Sequence, residues 1–531
     1  MKRALHAVLL TVLLTACSGD EPPVTPTVQA LAPEARRLLD VTQDWGLSFV
    51  HERGATDERQ LPETMGHGAA LFDADEDGDL DLYVVQGGSY RERSLTAPTN
   101  RLFANDGGRF RDVTPTSGAA ADPGYGMGVA VGDGDGDGHA DLYLTNFGLD
   151  RWLTGDGTGA FVDATEAAGI HDDRWTTAVT YFDPDADGDL DLFVAGYVAI
   201  DVDDPPWCGR RDPAWRTVCH PDQFEGLADR LWINDGRGRF TEESVARGVA
   251  GAPGKGLGVV AIDVDDDGWT DLYVANDSVE NHLWRNLGDG RFEDGTLLGG
   301  VGVNRFGATE AGMGVAAGDL DDDLDPELIV TNFDHESHTV YRNEGQARFS
   351  DATPSFGIEA ATRLPVGFGV LALDLDLDRD LDLAVLNGHI VERVALYDDA
   401  QTWRQAAQVF TNVDGRLSLD LELGGELVAT PRVGRCLVAG DLDGDGDEDL
   451  VATECGGRTR VFENRGPRVA TRRLDGLTIG TRVRATYADG RVVVREAGPA
   501  ASYLGSGSPA VLLPSQGLVS IERRVPGGDW R

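Results

Sequence analysis

Seven nine-residue stretches of the chain carry carboxylates at the same four positions, 1, 3, 5 and 9. They begin at residues 73, 133, 183, 263, 319, 374 and 441, and the first reads "DADEDGDLD". Two like charges about 4 Å apart repel by about 4 kcal/mol at an effective dielectric constant near 20. A single copy would suit a solvated acidic turn, but such a turn has no reason to keep one register seven times. The repetition therefore predicts that each stretch binds a cation.

Calcium suits this pattern best, because Ca²⁺ takes six to eight oxygen ligands in flexible geometry. Zn²⁺ prefers nitrogen and sulfur ligands, and Mg²⁺ keeps several waters. Position 7 is expected to add a backbone carbonyl, and glycine at position 6 permits the sharp turn. The predicted ligand positions are Asp73, Asp75, Asp77, Asp79, Asp81, Asp133, Asp135, Asp137, His139, Asp141, Asp183, Asp185, Asp187, Asp189, Asp191, Asp263, Asp265, Asp267, Trp269, Asp271, Asp319, Asp321, Asp323, Asp325, Glu327, Asp374, Asp376, Asp378, Asp380, Asp382, Asp441, Asp443, Asp445, Asp447 and Asp449.

Two of these sites are expected to be the weakest. Leu324 and Arg379 stand at position 6 of the fifth and sixth stretches, where the other five have glycine. A side chain there resists the positive φ that glycine would supply.

The acidic stretches are not EF-hand loops. An EF-hand needs Glu at position 12, and this chain has Val, Leu or Ala there. The flanking sequences, such as "GMGVAVGD" and "DLYLTN", have the composition of β-strands. Each acidic loop is therefore expected to join two strands.

The spacing between the acidic stretches predicts the fold class, an all-β seven-bladed β-propeller. Successive starts are 60, 50, 80, 56, 55 and 67 residues apart, and each unit continues with two more strand-like pieces. A linear β-solenoid is the alternative. The "F-x-D-x-T" piece that ends most units is missing after Asn464 but present as "LLDVT" (38–42). This N-terminal piece is expected to complete the last blade and close the ring, leaving no open sheet edge.

The composition excludes some partners. The chain has 531 residues and a formal net charge of -45, which disfavours nucleic acid. Its 69 glycines suit a turn-rich β protein.

The N-terminal residues resemble a bacterial lipoprotein signal. "MKRALHAVLLTVLLTAC" has a basic start and a short apolar stretch, and "LTAC" resembles a lipobox. The resemblance implies a signal peptide over residues 1–16, a lipidated Cys17 and a Pro-rich tether over 17–35. The protein is then expected to be a membrane-anchored lipoprotein of the bacterial cell envelope, at the outer membrane or cell surface. An ordinary secretory signal is the alternative.

The other four cysteines agree with export to an oxidising compartment. Cys208 and Cys219 bracket a short insert, and Cys436 and Cys455 flank the last acidic loop. Both pairs are predicted to form disulfides. The alternative for the second pair is two free buried thiols, because hairpin register is easily off by one residue.

Two further regions depart from the repeat. The longest spacing holds an insert at about 197–224 with two tryptophans and the first cysteine pair, and ordered inserts on rigid scaffolds often bind ligands. A disulfide-held loop without such a role is the alternative. The propeller is predicted to span residues 36–466, and residues 467–531, which lack acidic loops, are predicted to form a small β domain.

The repeats resemble FG-GAP (VCBS) repeats, as in integrin α-subunit propellers, and "GMGVAVGDGDGDGHADLYLTN" carries the whole signature. The layout is similar to the cartilage acidic protein family, in which an ASPIC/UnbV domain follows such repeats. "LPETMGHGAALFDADEDGDLDLY" (61–83) and "VREAGPAASYLGSGSP" (494–509) carry that similarity, although "AVLLPSQG" replaces the usual aromatic Gly-rich stretch. The resemblance implies calcium binding and extracellular interaction, and no firm catalytic activity.

The leading functional prediction is a lipid-anchored, calcium-binding propeller that binds an extracellular or envelope protein or glycan. The alternatives are a polysaccharide-active extracellular enzyme and a purely structural envelope protein. No nucleophile elbow or zinc-protease motif supports an enzyme, and no catalytic residue is predicted. The scattered histidines are expected to be structural: His51, His67, His220, His335, His338 and His389.

Overall fold

The computed structural model describes residues 37–91, 98–121, 124–249, 253–466, 469–498 and 502–531. The predicted signal peptide, Cys17 and tether lie outside these residues. The described chain is mostly β-strand and contains seven four-stranded antiparallel sheets. Their strands, in sheet order, are β2 Ala69–Phe72, β3 Asp81–Val84, β4 Arg101–Ala104 and β5 Arg111–Asp112; β6 Tyr125–Gly132, β7 Asp141–Phe147, β8 Arg151–Gly155 and β9 Phe161–Asp163; β10 Thr176–Phe182, β11 Asp191–Gly196, β14 Arg230–Asn234 and β15 Phe240–Glu242; β16 Gly256–Ile262, β17 Asp271–Asn276, β18 His282–Asn286 and β19 Phe292–Asp294; β20 Val315–Gly318, β21 Glu327–Val330, β22 Thr339–Asn343 and β23 Phe349–Asp351; β24 Gly367–Leu373, β25 Asp382–Asn387, β26 Gln408–Val413 and β27 Arg416–Leu419; β28 Gly434–Gly440, β29 Asp449–Glu454, β30 Arg460–Asn464 and β1 Leu38–Asp40.

Each acidic stretch forms the connection between the first and second strands of one sheet. In the first sheet Phe72 pairs with Asp81, so the loop enters directly from one strand and leaves into the next. The second strands are buried along their whole length, except for Phe147 at the end of β7, which explains their largely apolar sequences, such as "DLYV" and "DLFVAG".

The sheets are arranged in a closed cycle. The first strand of each sheet contacts that of the next, from β2 through β6, β10, β16, β20 and β24 to β28, and β28 contacts β2. A linear solenoid has no such closing contact. The cycle of sheets is the arrangement of a β-propeller.

The N-terminal strand closes the seventh sheet, as the sequence predicts. Leu38 pairs with Asn464 and Asp40 with Phe462, in antiparallel register. The Thr42 hydroxyl accepts a hydrogen bond from the Val461 N–H at 3.0 Å. The motif "LLDVT" therefore supplies the fourth strand of the last sheet, as the "F-x-D-x-T" pieces do in their own sheets.

The Thr or Ser of those pieces begins a short helix and bonds the third strand of its own sheet. The Thr114 hydroxyl, for example, accepts a hydrogen bond from the Leu102 N–H at 2.9 Å. The helices are α1 Pro62–Met65, α2 Thr114–Ser117, α3 Thr165–Ala168, α4 Ser244–Arg247, α5 Thr296–Gly299, α6 Thr353–Phe356, α7 Glu359–Thr362 and α8 Leu421–Ala429, which is interrupted at Gly425. None of the described helices is long and apolar enough to cross a membrane.

An asparagine at the end of the third strand links neighbouring sheets. Its side-chain amide donates to the carbonyl at position 2 of an acidic loop in the preceding sheet. The six pairs are Asn105 with Leu442, Asn234 with Gly134, Asn286 with Pro184, Asn343 with Val264, Asn412 with Leu320 and Asn464 with Leu375, at 2.7–2.9 Å. In the second sheet the position is Gly155, and the Gly159 N–H donates to Ala74 instead.

The C-terminal residues form two further sheets and a segment that enters the cycle. One sheet pairs β31 Thr471–Leu474 with β34 Val511–Pro514, and the other contains β33 Val492–Ala497, β32 Thr481–Tyr487 and β35 Leu518–Arg524. Residues 502–508, called the axial segment, lie in sequence between β33 and β34 and bond the first strands of several sheets. The Val129 N–H donates to the Leu504 carbonyl at 3.2 Å, and the Leu71 N–H donates to the Ser506 carbonyl at 3.0 Å. Tyr503 and Leu504 are buried in an apolar cluster with Met65.

Candidate metal centres

The acidic loops bring carboxylates together as the repeat predicts. In four loops, oxygens from positions 1, 3 and 9 lie within 4.8 Å of one another. The third loop instead brings positions 1, 3 and 5 together. The sets are Asp73, Asp75 and Asp81; Asp133, Asp135 and Asp141; Asp183, Asp185 and Asp187; Asp263, Asp265 and Asp271; and Asp319, Asp321 and Glu327.

Backbone hydrogen bonds shape each loop around its carboxylates. In the first loop the Asp73 carboxylate accepts the N–H groups of Asp77 and Gly78, at 3.2 and 3.0 Å. The Asp77 carboxylate accepts the Asp79 N–H at 3.0 Å. Position 5 is thus an exposed turn-forming residue in six loops, and in the first, second, fourth and fifth loops the clustered oxygens come from positions 1, 3 and 9 instead.

Two positions of every loop have positive φ. Position 6 has φ between 77° and 100°, including Leu324 at 77° and Arg379 at 87°, which confirms the strain expected in the fifth and sixth loops. Position 4 also has positive φ in all seven loops, at 55–74°. The sequence pattern does not predict this second requirement, because residues as different as Glu76, Ala186 and Leu377 stand there.

The position-9 carboxylate is buried in all seven loops. Asp81 accepts the Ala74 N–H at 3.0 Å and the Asn105 N–H at 2.8 Å, joining the loop to the third strand. Burial raises the pKa of Asp81 to about 7, of Asp191 to about 8 and of Glu327 to about 9. Burial without a positive partner disfavours the ionised form, and a nearby cation would favour it.

The position-3 carboxylates show that the residues present fit such a cation. Each of five has a buried oxygen without a hydrogen-bond partner: Asp75, Asp185, Asp265, Asp321 and Asp376. A buried charged oxygen without a partner is costly, and a cation would satisfy it. Because the donors are all oxygens, the centre suits Ca²⁺ rather than Zn²⁺.

In the first five loops the position-7 side chains are not among the clustered carboxylates. Asp79 accepts the Gly107 N–H at 3.0 Å, and His139 lies 2.5 Å from Glu76 of the first loop. The role of the position-7 carbonyl stays a prediction.

Arginines of the C-terminal residues bind several of the acidic loops. Arg482 lies 2.7 Å from the Asp266 carboxylate and 3.4 Å from Asp263, and Arg524 contacts the same two aspartates. Arg491 joins Asp322, at 2.9 Å, to Asp380. Asp266 and Asp322 are position-4 residues, and only the fourth and fifth loops have aspartate there. The sequence contains a signal for these contacts, because residues 467–531 hold ten arginines and five acids, whereas the fourth and fifth loops hold an additional aspartate.

One predicted disulfide is confirmed and the other is wrong. Cys208 and Cys219 are bonded. Cys436 and Cys455 are free and buried. A bulge lies between Gly434 and Leu437, and the Cys455 N–H bonds the Val433 carbonyl, so the two cysteines are not opposite each other. The Cys455 thiol faces the Glu63 carbonyl at 3.4 Å, whereas that of Cys436 lies against Gly505.

Among the described residues, the six histidines expected to be structural do not form a common site. His51 and His67 stack at 4.2 Å in the interior, and burial, with a smaller contribution from Arg435, lowers the pKa of His51 to about 3. His338 is buried, whereas its neighbour His335 is exposed and lies 2.9 Å from Asp398. His389 pairs with Asp334 at 3.2 Å, and His220 accepts the Asp222 N–H.

A family model described as an FG-GAP-like repeat matches residues 73–144, 133–194, 263–330 and 319–385. The chain therefore carries four FG-GAP-like repeats. Each match runs from one acidic loop to the strand that follows the next acidic loop. No curated protein matches the chain.

Solved structures resemble the chain at low identity. A lectin from Agrocybe aegerita, whose structure is described as recognising non-reducing terminal N-acetylglucosamine, is 14% identical, with 73% of this chain and 85% of that chain covered and a TM-score of 0.39. A lectin from Burkholderia pseudomallei is 12% identical, with 76% and 97% covered and a TM-score of 0.45. YCF48 bound to a D1 peptide is 8% identical, with 76% and 93% covered and a TM-score of 0.41.

Proposed function

We propose that the protein is a calcium-stabilised, seven-bladed β-propeller that binds a protein or glycan outside the cytoplasm. Each of the seven sheets is one blade, and their closed contacts support this count. The observation that carries the proposal is the repeated carboxylate cluster whose inner oxygen has no hydrogen-bond partner.

Calcium would be held by positions 1, 3 and 9, as in Asp73, Asp75 and Asp81. Its charge offsets the repulsion within the loop, and it binds the folded loop better than the unfolded chain. At free calcium about 100-fold above the dissociation constant, each occupied site adds about 2.7 kcal/mol to stability.

The connections between second and third strands supply the binding surface. The acidic loops join the first strands to the second strands. In an antiparallel sheet the connections between second and third strands therefore lie at the opposite ends of the strands. The longest of them is the disulfide-bonded insert, and long ordered loops on a rigid scaffold commonly bind partners.

We also propose that Cys17 is lipidated and that the protein is an envelope lipoprotein. The Cys208–Cys219 disulfide supports an exported protein. The C-terminal residues are proposed to be an ASPIC/UnbV-like domain of a cartilage-acidic-protein-like chain, on the sequence resemblance at residues 494–509.

Thermal melts in millimolar calcium and in excess EGTA at fixed ionic strength test the calcium proposal. We expect the melting temperature at neutral pH to be about ten degrees or more lower in EGTA than in calcium. At acid pH the difference between the two melts should be smaller, because protonated carboxylates bind calcium poorly. A difference of one or two degrees at neutral pH would show that the loops are not structural calcium sites.

A glycan and envelope-protein array, run with and without calcium, tests the binding role. Calcium-dependent capture of a defined glycan or protein supports it. Failure to bind any component in calcium, with the melt shift intact, would leave a structural envelope protein as the better description.

A further inference from the structure

The tip of the insert is a rigid surface formed by two long connections, one from the third sheet and one from the sixth. The insert connects β11 to β14 of the third sheet, and its tip is a hairpin of β12 Cys208–Gly209 and β13 Arg216–Thr217. Its base is held by a bridge between Val198 and Gly226.

The tip is also bonded to the long connection of the sixth sheet, residues 388–407. The Tyr397 hydroxyl donates to the Trp215 carbonyl, and Arg393 donates to the Ala214 carbonyl at 3.2 Å. The Trp215 and Tyr397 rings meet edge to face at 5.8 Å. With the disulfide, these contacts hold the tip in one arrangement, so a ligand would not have to order it.

The tip presents guanidinium groups stacked on indole rings. Arg210 lies 4.1 Å from the centre of the Trp215 ring, and Arg216 lies 4.8 Å from that of Trp207. Trp207 is 36% exposed and Tyr397 46% exposed. A guanidinium stacked in this way keeps its N–H edge available for an anion.

The tip is basic on a strongly acidic protein. Residues 205–220 contain three arginines and one acid, Asp212, in a chain of net charge -45. The Asp212 carboxylate caps the short helical turn at Pro213–Trp215 by accepting the Ala214 N–H at 2.9 Å. Among the described residues, no carboxylate lies within salt-bridge distance of Arg210 or Arg216, whereas Arg247 pairs with Asp185 at 3.1 Å.

We infer that the insert tip binds an acidic polysaccharide whose charges are carboxylates, that is, a polyuronate. This assignment rests on the proposed binding function. A planar carboxylate meets a guanidinium edge with two parallel hydrogen bonds. The exposed indole and phenol rings offer apolar faces to the C–H faces of sugar rings. The acidic remainder of the surface would confine such a polyanion to the tip.

Calorimetry with the full-length protein in calcium and short polygalacturonate fragments tests this inference. Methyl-esterified fragments keep the sugar backbone and remove the charge, so they are the matched ligand control. We expect binding of the acid form only, weakening as salt rises.

The variant Arg210→Gln/Arg216→Gln should lower the affinity for the polygalacturonate fragments at least tenfold. Trp207→Ala should also lower that affinity. The control is Arg237→Gln/Arg239→Gln, which removes two exposed arginines from the β14–β15 turn of the same sheet. It should bind as the wild type does. All variants should retain the calcium-dependent melt shift, which separates loss of this site from failure of the calcium fold.

Several outcomes would overturn the inference. Unchanged binding by the Arg210→Gln/Arg216→Gln variant would place the polyuronate elsewhere, for example on calcium in the acidic loops. Equal affinity for esterified fragments would remove the role of charge. Equal affinity for dextran sulfate would show recognition of charge without preference for carboxylate. Tighter binding of polyglutamate would make the partner an acidic protein, and no binding to any probe would leave the tip without this role.

Discussion

The first and second acidic loops and the fourth to sixth acidic loops carry the same motif but face different neighbours. In the first two, positions 4 to 6 are exposed, and the described contact between them is that of Glu76 with His139. In the fourth loop, Arg482 and Arg524 lie on Asp263 and Asp266 with 6% and 8% of their side chains exposed. Arg491 spans the fifth and sixth loops.

The difference shows that one motif can either face arginines or be left open. In the fourth loop Arg482 and Arg524 bind the outward position-4 carboxylate of Asp266 and also the position-1 carboxylate of Asp263, which belongs to the cluster. The covered loops therefore keep positive charge nearby when calcium is absent, and the open loops do not.

Hydrogen exchange in calcium and in EGTA should show this contrast most strongly. The Asp77 and Gly78 amides of the first loop should lose about 100-fold protection in EGTA, the equivalent of about 2.7 kcal/mol. The Asp323 and Leu324 amides of the fifth loop should lose less. Equal losses would mean that the arginines do not compensate for the missing ion.

The double variant Arg482→Gln/Arg524→Gln should remove the compensation from the fourth loop. Breaking a buried ion pair costs about 3–5 kcal/mol, so thermal stability should fall substantially even in calcium. The exposed neighbour Arg523 provides the control, and Arg523→Gln should melt as the wild type does. A double variant as stable as that control would show that the C-terminal residues dock by other contacts.

Removing a position-3 carboxylate should cost more in an open loop than in a covered one. We expect Asp135→Ala to abolish a tight calcium site and lower stability by about 2.7 kcal/mol at saturating calcium. Asp376→Ala should abolish a weaker site, because Arg379 strains that loop at φ 87°. Calcium titration of both variants measures the ranking, and identical affinities for the two lost sites would contradict it.

Substituting Leu324 with glycine should relieve the strain in the fifth loop. The left-handed conformation costs a non-glycine residue about 1–2 kcal/mol, partly offset by the greater freedom of glycine in the unfolded chain. Leu324→Gly should therefore melt at or slightly above the wild type and bind calcium more tightly. Leu324→Ala, which loses the same packing but keeps the strain, is the control and should melt lower; the reverse order would exclude strain as the cause.

Local patterns predicted the loops, the strands beside them and the closure by residues 38–42, because each depends on neighbouring residues with one clear role. The asparagine links were not predicted, although "RLFAND" and "RLWIND" contain them. Their partners lie in another sheet, and the link from Asn105 to Leu442 spans 337 residues. The Cys436–Cys455 prediction failed because a bulge in β28 shifts the register by an amount that no residue pattern announces.

The axial segment has a consequence for the order in which the protein can fold. Several first strands bond residues 502–508, and the closing strand begins at Leu38, so segments more than 400 residues apart in sequence take part in one ring. Contacts of such large sequence separation form slowly, because loop-closure entropy must be overcome first. During synthesis these inner strands remain incomplete until residues 502–508 arrive. A chain that stopped before residue 502 would leave the N–H groups of Leu71, Val129 and Val315 without these acceptors, exposing strand edges to other incomplete chains.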